Sequence, residues 1–167
     1  ARRDLDMIAT EARSAVADLR GLVEGLRPPS LDQLGLVGAI VDLAERLGPT
    51  EGADRADHAA VGPLVTVEAR PEPLPELPAA VEVAAYRIAI EAVTNAVRHA
   101  DARTCAVRLT AAERLTIEIT DDGHGLDGTD WRGGTGLESM RERAAEVGGE
   151  VWLAPGQPRG TVVRAEL

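Results

Sequence analysis

The chain has no lysine, no phenylalanine and a single cysteine, and only 2% of its 167 residues are aromatic. Each shortage excludes something. Without Phe, the interior must be packed from Ala, Val, Leu and Ile, which dominate the 44% apolar content. One cysteine rules out an internal disulfide and a thiolate metal site, and the alternating apolar run around Cys105 marks it as a small buried residue. No apolar run is long enough to span a bilayer and no secretory leader is recognisable, so a soluble, cytoplasmic chain without membrane contact is expected. The sequence opens inside a helical pattern with no start signal, which points to a piece of a longer protein. Positive charge is also scarce: 18 basic against 28 acidic residues leave a net charge of −10. That sign repels phosphate backbones at long range, so no nucleic-acid partner is expected. It would repel a nucleotide too, unless a metal ion and locally positive groups screened the phosphates.

What is present is strongly patterned. Leu5, Ala9, Ala12, Val16, Leu19, Val23 and Leu26 recur at alternating steps of four and three, a heptad seam. One amphipathic helix packed on its own domain would show this pattern, but the regularity favours one helix of a dimeric bundle. Pro28 and Pro29 stop it. Ser30 with Gln33 is expected to cap the next helix, whose apolar face is Leu36, Ile40, Leu43 and Leu47. Gly48 to Gly62 reads as a linker, Val65 and Val67 as the inward residues of a short strand, and the proline-rich 70–78 stretch as an extended loop. A long apolar helix is predicted over Ala79 to Ala100. Three alternating runs follow, with Cys105, Val107, Leu109, then Leu115, Ile117, Ile119, then Val163, Ala165, Leu167 on one face. Between the last two lies a helix with a Thr135/Glu138 capping box, a buried stripe of Leu137, Met140, Ala144 and Val147, and a Gly148-Gly149 stop. The pattern predicts an α+β fold, an antiparallel or mixed sheet with helices on one face only.

Three segments carry chemistry. On the 79–100 helix, Arg87, Glu91, Thr94, Asn95, Arg98 and His99 fall within an arc of about 140°. A solvated face would look like this, but an amide and a carboxylate one turn apart are also a good oxygen pair for Mg²⁺. Asp121-Asp122-Gly123-His124-Gly125 is either a tight turn or a place where backbone approaches a planar ligand beside a carboxylate able to read an exocyclic amine. Gly133-Gly134-Thr135-Gly136-Leu137 opens a capped helix, whose free N–H groups and dipole favour an anion and so answer the charge objection locally.

The order and spacing of these segments are far more specific than any one of them. Together, over roughly Leu64 to Leu167, they resemble the N, G1 and G2 boxes of the GHKL (Bergerat-fold) ATPases, which include histidine kinases, type II topoisomerases, Hsp90-type chaperones, MutL-type repair proteins and anti-sigma kinases. The resemblance implies a Bergerat α/β sandwich that binds ATP and Mg²⁺. It implies Asn95 as the metal ligand, Glu91 as the catalytic carboxylate, Arg98 on a phosphate and His99 along the nucleotide. It further implies Asp121 on the adenine amine, Gly123 and Gly125 as the first glycine turn, and Gly134, Thr135, Gly136 and Leu137 around the phosphates. Thr161 would lie near the adenine.

Within that superfamily, Glu91-Ala92-Val93-Thr94-Asn95-Ala96-Val97-Arg98-His99-Ala100, the preceding Tyr86-Arg87-Ile88 and the Gly136–Arg143 run resemble the DesK/NarX-type sensor kinases. So do Leu26-Arg27-Pro28-Pro29-Ser30-Leu31, Gly35-Leu36, the short lid from Leu126 to Gly133 and the absence of a Phe-containing box. The implied division is 1–30 as the partial second helix of a dimerisation and phosphotransfer region, 31–62 as connecting helix and linker, and 63–167 as the catalytic ATP-binding domain. The implied partners are a second copy, through the dimerisation helices, and a response regulator receiver domain. In such kinases the phosphoacceptor lies in a His-Asp motif on the first dimerisation helix. His58, His99 and His124 do not match it, so the chain is expected to bind ATP without phosphorylating itself. A clamp-type GHKL ATPase and an anti-sigma-like switching module are the alternatives. The short lid and the heptad helix speak against the first, and the Pro-Pro exit and Arg-Glu-Arg run against the second. Trp131 and Arg132 are placed in the lid, where Trp131 either closes over the nucleotide or anchors the surface.

Overall fold

A computed structural model describes residues 27–48, 62–125 and 135–167, the Thr135 side chain excepted. The predicted heptad helix, most of the linker, the lid with Trp131 and Arg132, and Gly134 lie outside the described residues.

Five strands follow from the alternating runs: β1 (Leu64–Arg70), β2 (Thr104–Ala111), β3 (Leu115–Asp121), β4 (Glu150–Pro155) and β5 (Thr161–Glu166). They form one mixed sheet in the order β1-β2-β3-β5-β4. Only β1 and β2 run parallel, with Val65 opposite Cys105 and Val67 opposite Val107. The other pairs are antiparallel, in register at Val107 with Ile119, Ile119 with Val163, and Val163 with Leu153, and of these β2-β3 and β4-β5 are hairpins. Because side chains alternate across a strand, this register puts Cys105, Val107, Leu109, Leu115, Ile117, Ile119, Val163 and Ala165 on one buried face.

The helices α1 (Pro29–Leu47), α2 (Ala79–Arg98) and α3 (Thr135–Glu146) cover that face. The core they enclose is aliphatic and small, as the lack of Phe requires. Helix α2 presents Ala84, Ala85, Ile88, Ala89, Ala92, Val93 and Ala96 inward, and the alanines bring its axis close to the strands. The opposite sheet face is open and polar. Glu68, Arg108, Glu118 and Arg164 stand in one cross-strand row of alternating charge, with Arg108 paired to Glu68 at 3.8 Å and to Glu118 at 3.5 Å.

The start of α1 corrects the predicted Ser30 cap. Pro29 opens the helix and Pro28 stands at the cap position, with no side-chain cap. A proline at the first helical position loses no hydrogen bond and already has helical φ, so it outcompetes the hydroxyl signal of the next residue. The Ser30 hydroxyl instead lies 3.3 Å from the Tyr86 hydroxyl on α2. The helix also kinks at Gly35, where φ is +66°, which the apolar periodicity did not reveal. Leu31 before the kink and Leu36, Ile40 and Leu43 after it are all buried. Just ahead of α1, Arg27 ties two helices together: Nε to Asp32 Oδ1 of α1 at 2.6 Å, and on α2 Nη2 to Glu82 Oε2 at 2.5 Å and Nη1 to the Ala79 carbonyl at 3.3 Å.

The glycine stop of α3 is as expected. Gly148 adopts φ +69°, its N–H meets the Ala145 carbonyl at 3.0 Å, and the Gly149 N–H reaches back to Ala144 at 2.8 Å. These paired bonds satisfy the last carbonyls and turn the chain into β4.

Candidate functional site

The polar stripe predicted on α2 is real. Glu91, Thr94, Asn95 and Arg87 are half-buried on the side of the helix away from the sheet, while Arg98 and His99 are exposed at its end. Asn95 Nδ2 donates to Glu91 Oε1 at 3.4 Å, a long bond that leaves Asn95 Oδ1 without a hydrogen bond among the described residues. Gly136, in the first turn of α3, abuts the same carboxylate: a Cβ there would stand 2.0 Å from Glu91 Oε1. The N-terminus of α3 and the middle of α2 therefore meet at Glu91. Leu137 next to it is a core residue, 6% exposed, so only its backbone can face a ligand.

The other end of the stripe is built from backbone. Asp121, the last residue of β3, is buried, and its Oδ1 accepts the Gly123 N–H at 2.9 Å and the Thr161 N–H at 3.3 Å. Oδ2 receives no hydrogen bond among the described residues, so one acceptor remains for an incoming donor. Thr161 is buried beside it, as the sequence placed it. Gly123 lies against the end of α2, where a Cβ would stand 2.3 Å from the Ala100 carbonyl. The His124 N–H donates to that carbonyl at 2.9 Å, and its ring nitrogens contact the carbonyls of Gly125 at 2.7 Å and His99 at 2.5 Å. Gly125 stands against Gly160, and a Cβ on Gly160 would lie 1.9 Å from the Asp121 carbonyl. Three chain segments thus touch main chain to main chain around one buried carboxylate.

Asp122 points the other way and ties the loop to β2. Its Oδ1 accepts the N–H groups of Arg103 at 2.7 Å and Thr104 at 2.9 Å. Burial acts to raise this carboxyl, and the backbone N–H groups of Thr104 and Arg103 outweigh it, holding it below the ordinary carboxylate value. Cys105, opposite Asp121 in the ladder, is pushed up to about 12 by burial and then by the two nearby aspartates, so it remains an inert thiol.

The site thus brings together Glu91, Asn95 and Gly136 at one end and Asp121, Gly123, Gly125 and Thr161 at the other, with His99 and Arg98 between them on the rim. Gly134 and the Thr135 side chain lie outside the described residues. Sequence reasoning passed over Gly160, whose only signal was its place before Thr161. It also passed over the meeting of Arg87 with Arg143 of α3, which share a small pocket with Glu91. The residues suit a nucleotide and a magnesium ion. The described residues hold no group of three His, Cys, Asp or Glu side chains placed to cage a metal. Magnesium needs none, since it keeps its waters and is held by one or two protein oxygens together with substrate phosphates.

Comparison with known proteins agrees. Residues 80–167 match the family described as histidine kinase-, DNA gyrase B- and HSP90-like ATPases. The chain is 33% identical over 159 residues to the sensor histidine kinase MctS of Rhizobium johnstonii, covering 92% of this chain and 32% of that protein. It is 40% identical over 83 residues to the sensor histidine kinase YxjM of Bacillus subtilis, covering 49% of this chain and 20% of that one. The chain therefore spans a third or less of the curated relatives named here. In fold it is similar to the blue-light-activated histidine kinase of Erythrobacter litoralis EL346, with a TM-score of 0.59 at 23% identity over 79% of this chain and 41% of that one. No helix among the described residues is long and apolar enough to cross a membrane. The buried carboxylate with its glycine turns, the amide-bearing helix and these matches have one reading: the chain belongs to the histidine kinase-, DNA gyrase B- and HSP90-like ATPase family, and its ATP-binding domain is of the sensor histidine kinase kind.

Proposed function

We propose that this chain binds Mg-ATP as the catalytic part of a cytoplasmic, dimeric two-component kinase, and delivers the γ-phosphoryl to a histidine on a dimerisation helix, from which it passes to an aspartate of a response regulator receiver domain. On this reading residues 63–167 are the catalytic domain, 31–62 the connection, and 1–30 the end of the second dimerisation helix. None of His58, His99 and His124 is the phosphoacceptor. The single observation that supports the reading most is the pairing of Asn95 and Glu91 on one helix turn, facing the first turn of α3 at Gly136.

Asp121 orients the purine by accepting from its amine while its other oxygen holds the loop. Gly123, Gly125 and Gly160 let the backbone approach the ring, with Thr161 beside it and His99 at the rim. Asn95 Oδ1 and the phosphates would hold Mg²⁺, which, when bound, neutralises phosphate charge along the transfer coordinate. Gly134, Thr135, Gly136 and Leu137 offer backbone N–H groups and the positive end of the α3 dipole to the phosphates, and Arg98 adds a cation. Glu91 sits at the junction, where a carboxylate can accept the imidazole proton and orient the ring. Catalysis of this kind rests on positioning and charge neutralisation.

The test is calorimetry of the chain with Mg-ATP. Wild type is expected to bind, and Asn95→Ala to lose binding by about a hundredfold or more while its thermal midpoint stays within a few degrees of wild type, since Asn95 is half-buried and makes one long hydrogen bond. A variant with wild-type affinity would remove Asn95 from the site.

A further inference from the structure

Arg87 and Glu91 stand one turn apart on α2, and neither has a good partner. The Glu91 carboxylate lies against the first turn of α3, where a Cβ on Gly136 would stand 2.0 Å from its Oε1. It receives one long hydrogen bond, from Asn95 Nδ2 at 3.4 Å. Arg87 makes no hydrogen bond or ion pair among the described residues, and its Nε is buried without an acceptor. A donor buried in that way costs stability until an acceptor reaches it. Both side chains line one pocket of about 120 Å³ between α2 and α3, whose wall is completed by Ile90, Ser139, Met140 and Arg143. Arg143 is already engaged, 3.5 Å from Glu146. Of the residues on that wall, Glu91 alone is acidic.

The pocket thus carries its own counter-ion, which opposes an anion from outside. Residues four apart on a helix have Cβ atoms about 5–6 Å apart, within reach of a guanidinium and a carboxylate. The open space between them leaves room for either side chain to turn toward the other. As it stands, the carboxylate rests at the positive end of α3, the place given above to the phosphates. Phosphates arriving at Gly136 meet a like charge there and repel it. We propose that Arg87 is a positioning residue that receives the Glu91 carboxylate when the phosphates of Mg-ATP occupy the start of α3. In the empty protein Glu91 stands in for phosphate. In the loaded one it is paired with Arg87, which satisfies the buried Nε and holds the carboxylate beside the phosphates in one orientation. This rests on the Mg-ATP reading above.

The test is a double-mutant cycle on this chain, with Arg87→Gln made in the wild-type and Glu91→Gln backgrounds and Mg-ATP affinity read by calorimetry. Arg87→Gln is expected to weaken binding about tenfold where Glu91 is present. Where Glu91→Gln has removed the charge that needs a partner, the loss should be less than about twofold. Arg87→Lys should recover part of the affinity, since an ammonium can meet the carboxylate as a point charge. Without nucleotide, Arg87→Gln should keep a thermal midpoint within a few degrees of wild type, because the guanidinium has no partner to lose. The Arg87 Nε–H signal in ¹⁵N NMR should shift when Mg-ATP is added to wild type and stay in place in Glu91→Gln, a signature that a merely structural role would not give. Equal weakening by Arg87→Gln in both backgrounds overturns the proposal, by assigning Arg87 to the nucleotide or to the fold. Full affinity of Arg87→Gln beside an intact Glu91 overturns it too, as does an Nε–H shift that is the same with and without the Glu91 carboxylate. If Arg87→Gln does not fold, the lysine variant and the NMR comparison decide. Failure of the Mg-ATP reading itself is seen separately, as no binding by wild type.

Discussion

The two ends of the α2 stripe are made of different material. At the end proposed for the purine, Asp121, Gly123, Gly125 and Gly160 interlock backbone against backbone, and nearly every polar group is already satisfied. At the end proposed for the phosphates, the Glu91 and Asn95 side chains of α2 meet the backbone of Gly136 on α3, with one long hydrogen bond between the two side chains. A rigid ring that differs from its competitors by one amine is best read by a preformed surface. A flexible, multiply charged tail that must move during transfer is better met by side chains that its own charge completes.

Substitutions at the two ends should therefore fail differently. The largest effect is expected at Gly160, where φ is +96° and any Cβ would overlap the Asp121 carbonyl. Gly160→Ala should cost about 3 kcal/mol or more of stability and take nucleotide binding with it, seen together in thermal unfolding and calorimetry. If the variant kept its midpoint, the purine end would be softer than the contacts imply. Next is Asp121→Asn, which keeps an oxygen for the Gly123 and Thr161 N–H groups but sets an amide donor against the purine amine. The preference for ATP over GTP should drop by about tenfold or more with the fold retained. An unchanged ratio would mean that selectivity resides elsewhere.

The smallest effect is expected at Asp122, whose folded pKa is depressed by the Thr104 and Arg103 N–H groups against the pull of burial. A depressed carboxylate contributes stability above its unfolded pKa and loses it as pH falls through the folded value. Asp122→Asn should thus be less stable than wild type at neutral pH, by under about 1 kcal/mol once solvent screening is allowed for. The gap should close as the solution is acidified below the usual carboxylate range. A gap that held constant through acid would show that the loop contact is worth the same without its charge. Urea melts across pH measure this directly.

How legible these features were in the sequence depended on whether they are local. The strands were legible because period-two alternation is imposed by one wet and one dry sheet face, and the α2 stripe because an otherwise apolar helix isolates it. The α3 stop was readable because Gly148 does by itself what the chain needs there. Non-local features left no trace. Ser30 and Gln33 spell a cap, but Pro29 decides the helix start, and the seryl hydroxyl meets Tyr86 instead. Gly35 sits inside an unbroken apolar periodicity, so its kink was silent. Arg27 and Glu82 are ordinary surface charges until folding brings them together. Arg87 was visible on the stripe, but its companion Arg143 lies on another helix, and no spacing rule connects them.

The single parallel pair in the sheet has one more consequence. Parallel neighbours cannot be joined by a tight turn, so α2 is itself the crossover between β1 and β2. The helix carrying Asn95 and Glu91 is moored at both ends to adjacent rungs of one ladder and cannot slide lengthwise without unzipping them. Helix α3 is moored through Gly148 to β4, at the sheet's margin. The two helices that meet at Glu91 and Gly136 thus hang from opposite sides of one sheet.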